Sequence, residues 1–65
     1  MIGPREALAM AERHAWWCRV TFNATPDEIV HELSVWRKRY TVALSDHTIN
    51  MVAHHVATAP AEVHA

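Results

Sequence analysis

Apolar positions recur along this chain at steps of three and four in three separate runs, and each run predicts an amphipathic helix. In the first, Leu8, Ala11, Ala15, Cys18 and Phe22 form one stripe of a helix expected over 4–22. In the second, Ile29, Leu33, Trp36, Tyr40 and Ala43 continue without interruption from a start at Thr25. In the third, Ile49, Val52, Ala53 and Val56 face inward from a start at Ser45, with fraying expected near Thr58, ahead of Pro60. Ala59 to Ala65 reads as a loose tail. The expectation is an all-α, small three-helix domain over 1–58 and a flexible tail over 59–65, with roughly 70% of residues in helix.

Polar residues at the ends of the runs support these limits. Thr25-Pro26-Asp27-Glu28 is the strongest start signal in the chain. A threonine oxygen accepts from the N–H three residues on, proline suits the first helical position, and Glu28 can reach back to close a capping box. Ser45 is a good N-cap and Asp46 favours the first turn that follows it. Asn23 tolerates the left-handed conformation that often ends a helix.

One segment carries a second pattern. Trp16, Cys18, Val20 and Phe22 alternate with the polar Arg19, Thr21 and Asn23, as in a half-buried strand, although Trp17 interrupts the alternation. Helix is preferred, because the helical stripe extends upstream from Cys18 to Leu8.

Composition narrows the class. Sixty-five residues form one small domain, and 51% hydrophobic content permits only a thin core. Three tryptophans would supply much of that core, since a large aromatic buries about 150–250 Å². Self-association or a protein partner is the natural way to complete it. Gly3 is the only glycine, which excludes phosphate-cradling glycine loops and argues against a turn-rich sheet fold. A single cysteine excludes a disulfide framework and suits a reducing compartment. No apolar run approaches the roughly 20 residues of a membrane span. Met1 to Glu6 lacks the basic-then-apolar order of a secretory leader, so a cytoplasmic protein with no membrane partner is expected.

Candidate chemistry is sparse. Cys18 falls on the apolar stripe, where a buried thiol is the ordinary outcome, and no nucleophile–base pair can be read from spacing, so no enzyme is expected. His47, Met51 and His55 share a face, but the two histidines sit about 12 Å apart along the axis, too far for one metal. No metal site and no cofactor are expected. The dense basic cluster Arg37-Lys38-Arg39, between Trp36 and Tyr40, reads either as phosphate and base-edge contacts or as a solvated helix end favoured by the dipole. The net charge of −1 weighs against nucleic acid.

The residues around the cluster add a resemblance. Asn23-x-Thr25-Pro26-Asp27-Glu28-Ile29-Val30-x-x-Leu33-Ser34-Val35 resembles the first half of the helix-turn-helix DNA-binding family. That resemblance makes Ser34–Val35 the turn and implies a recognition helix from Trp36, with Arg37, Lys38, Arg39 and Tyr40 toward duplex DNA. A second resemblance, carried by Arg19-Val20-Thr21-Phe22-Asn23-Ala24-Thr25, Pro26 to Ile29 and Leu44-Ser45, is to the ribbon-helix-helix repressors. It implies a strand-paired homodimer in which Arg19, Thr21 and Asn23 read DNA.

The expected function is thus a small DNA-binding protein, of repressor or architectural type, with transcription regulation as its role. The alternative is a non-catalytic helical protein–protein interaction module. It would bind through Trp16 or Trp17, which point about 100° apart on a helix, and through Met51 and His55 on the third helix, because exposed aromatics anchor interfaces. Ser34–Val35 discriminates: a break there favours helix-turn-helix, and a continuous helix favours the interaction module.

Overall fold

The computed structural model describes residues 3–60, and most of the expected tail, 61–65, lies outside them. Three helices follow one another: α1, Pro4–Phe22; α2, Pro26–Tyr40; and α3, Asp46–Thr58. Helix accounts for 81% of the described residues, with no strand among them. The segment from Trp16 to Asn23, where a strand competed, is the C-terminal part of α1 and its cap residue Asn23.

The caps form as their residue types require. Glu28 N–H donates to Thr25 Oγ1 at 3.2 Å, and Thr25 N–H donates to Glu28 Oε1 at 2.8 Å, closing the capping box with Pro26 at the first helical position. Thr48 N–H donates to Ser45 Oγ at 3.1 Å and starts α3. Asn23 takes the left-handed conformation, φ 53°, and its N–H donates to Arg19 C=O.

The end of α2 departs from the expectation. The stripe suggested helix through Ala43, but Thr41 is left-handed at φ 51° and α2 stops at Tyr40. Val42 N–H then reaches the Arg37 carbonyl at 3.1 Å, a six-to-one bond that closes the helix. Val42 is buried beneath that turn, while Ala43 is exposed.

The core lies where the three helices meet. Ala11, Ala15 and Cys18 of α1 pack with Ile29 and Leu33 of α2 and with Ile49, Val52, Ala53 and Val56 of α3. The four α3 positions are those expected. On α1 the inner line is rotated: Ala7 is buried, Leu8 lies at the margin, and Phe22 is 65% exposed. The tryptophans are not the centre of this core. Trp16 and Trp36 are half-buried against it, and Trp17 is 52% exposed. Alanines on α1 let the helix backbones approach closely enough for aliphatic chains from α2 and α3 to fill the interior.

Candidate functional site

Helix α2 runs without a break through Ser34 and Val35, so the turn implied by the helix-turn-helix resemblance is helical. This changes how the basic cluster is presented. At about 100° of rotation per residue, three consecutive side chains on one helix cannot share a face. Arg37 points to α3: its Nη1 donates to Leu44 C=O at 3.1 Å and its Nη2 pairs with Asp46 Oδ1 at 2.7 Å. It joins the end of α2 to the start of α3. Lys38 is exposed, opposite the line of Ile29 and Leu33. Arg39 is exposed on the α1 side of α2, its guanidinium 5.8 Å from the ring centre of Tyr40. Of the four residues expected on DNA, only Arg39 and Tyr40 stand together.

The residues of the alternative reading are divided as well. Trp16 packs against the core with the Arg19 guanidinium 5.5 Å from its ring centre. Arg19 also donates to the Val56 carbonyl, tying α1 to α3. Met51 and His55 are exposed beside a shallow groove of about 400 Å³ between α1 and α3, bordered by Leu8 and Glu12. Trp17 lies on the other flank of α1, beside α2.

Trp17 belongs to an aromatic array that the core stripes of the sequence do not show. His14 stacks between two tryptophans, 5.8 Å from Trp17 at 22° and 6.2 Å from Trp36 at 19°. The Phe22 ring meets Trp17 edge-on at 5.1 Å. Along this array the surface hollows into a groove of about 440 Å³ lined by Met10, His14, Val35, Trp36 and Tyr40 together with Glu32 and Arg39. A second hollow of about 330 Å³ continues it past Arg13 and Trp17. Trp17, Val35 and Tyr40 are each at least half exposed. The available signal was Met10, His14 and Trp17 at steps of four and three, a second stripe on α1 beside the one used for the core.

No buried side-chain polar atom lacks a partner among the described residues. No group of three His, Cys, Asp or Glu side chains converges as a metal would require, again among the described residues. Cys18 is 1% exposed. Burial pushes its thiol pKa up, and the negative charge of Glu32 adds to the shift. None of the three helices is long and apolar enough to cross a membrane.

No family model, curated protein or solved structure matches this chain.

Proposed function

We propose that this domain is a non-catalytic protein-interaction module whose docking face is the aromatic groove between α1 and α2. One observation carries the reading: Trp17, Val35 and Tyr40 stand at least half exposed beside a core that closes without them. Large aromatics in a shallow groove that also holds Glu32 and Arg39 match the composition of interfaces. The continuous α2 supports the same reading, and so does the buried thiol of Cys18, whose raised pKa favours the unreactive protonated form. The duplex-DNA reading retains Lys38 and Arg39 as exposed cations but no longer has Arg37, which is engaged with α3.

Two measurements test the proposal. A photo-crosslinking residue at Tyr40 should form protein adducts in the source cell, whereas the same residue at His31, on the outer side of α2, should form none. Duplex DNA at about 50 mM salt should show no specific binding. The proposal is overturned if the parent binds duplex and the K38A/R39A variant flattens its salt dependence by roughly 0.9 per lost cation.

A further inference from the structure

The groove has a polarity that selects its occupant. Glu32, Val35, Trp36 and Arg39 follow one another on the outer stripe of α2 at steps of three, one and three, with Glu32 and Arg39 about 10.5 Å apart along the axis. The stripe therefore reads acidic, apolar, basic from its N-terminal to its C-terminal end. Such an order is complementary to itself when a second α2 lies antiparallel, because a two-fold axis brings residue i against j and j against i. With the axis between Val35 and Trp36, Glu32 of each copy faces Arg39 of the other, and the apolar pairs meet at the centre.

We infer that the occupant of the groove is a second copy of this chain, seated with α2 against α2 about that two-fold axis. The inference rests on the interaction-module reading and names its partner. Two α1–α2 hairpins brought together in this way make a four-helix layer, which covers Trp36 and Tyr40 on both sides. Oligomerisation is also one of the means by which a small chain enlarges its core. The α1–α3 groove has no equivalent order, since its edges carry Glu12 and His55 without an opposing lysine or arginine.

Sedimentation velocity tests the assignment, using the full chain at about 50 µM, where mass action populates a micromolar dimer. The parent should sediment as a dimer. Glu32→Arg and Arg39→Glu should each raise the dissociation constant about tenfold or more, because each sets like charges across the axis twice. An equimolar mixture of the two variants should dimerise, since every crossing pair is then of opposite sign. The double variant E32R/R39E should self-associate like the parent. Restoration by mixing also shows that the single variants are folded. A monomeric parent overturns the second-copy assignment and leaves the interaction module to the Tyr40 crosslink. A parent dimer indifferent to both charge reversals, or variants that stay monomeric when mixed, overturns the proposed axis.

Discussion

Two apolar surfaces run side by side along α1 and α2, and they are composed differently. The inner one uses Ala7, Ala11, Ala15 and Cys18 against Ile29 and Leu33, all at 1% exposure or less. The outer one uses Met10, His14 and Trp17 against Val35, Trp36 and Tyr40 and stays open to water. Alanines and Cys18 form the inner face of α1, the interior is filled by aliphatic chains of α2 and α3, and the indoles of Trp16 and Trp36 stay at its margin. Exposed apolar surface forgoes roughly 25 cal/mol for each Å² left in water. The helix faces are thus divided into one that holds the fold and one free to hold something else.

The strongest way to break this division is to attack the inner surface. Leu33→Ala removes a fully buried side chain and should cost about 2–5 kcal/mol. A 65-residue domain holds only roughly 0.05–0.15 kcal/mol of stability per residue, so much of its margin should disappear in a urea titration followed by circular dichroism. Next comes the link that Arg37 makes between α2 and α3. Arg37→Ala should cost about 1–2 kcal/mol, a value reduced because Asp46 is 82% exposed and its charge is screened by solvent. Lys38→Ala and Arg39→Ala should each stay within about 0.5 kcal/mol. Equal melting temperatures for all three would erase the distinction between the turned-in arginine and its neighbours.

Smaller effects sharpen the comparison. Thr25→Ala should cost about 1 kcal/mol through the lost cap. Hydrogen bonds from Thr25, the backbone one foremost, hold the Glu28 carboxyl below its ordinary pKa. A depressed carboxylate stabilises the fold above its unfolded value and loses that contribution as pH falls through the folded value. Acid titration should therefore weaken the parent below the ordinary glutamate range, and Glu28→Gln should flatten that part of the curve. Trp17→Ala should likewise stay far below Leu33→Ala, costing less than about 1.5 kcal/mol, its ring contacts being at the surface. A loss as large as that of Leu33→Ala would show that the outer surface is part of the core.

Local chemistry made much of the fold readable in advance. Thr25, Ser45 and Asn23 satisfy backbone groups within a few residues, so their roles depend on nothing distant. Two features depended on tertiary contacts. Periodicity reports which residues share a stripe but not how the stripe is rotated, so Leu8 and Phe22 looked internal and Ala7 did not. The run through Tyr40 to Ala43 concealed the stop at Thr41, where Val42 turns in under the chain. The candidate site was less legible for the same reason. Arg37 differs from Lys38 and Arg39 only because α3 brings Leu44 and Asp46 within its reach. His14 and Trp36 become neighbours only when α1 and α2 fold against each other.

Cys18 turns the interior into a clock. Its sulfur sits where α1 meets the other helices, so a thiol reagent can reach it only when the bundle opens. If closing outpaces modification, the labelling rate relative to a free thiol reports the opening equilibrium directly. No added probe is required, and there is no second cysteine to confuse the signal. Measured across dilution, the same rate would show whether association slows the opening of each copy, tying the outer groove to the inner core through a single atom.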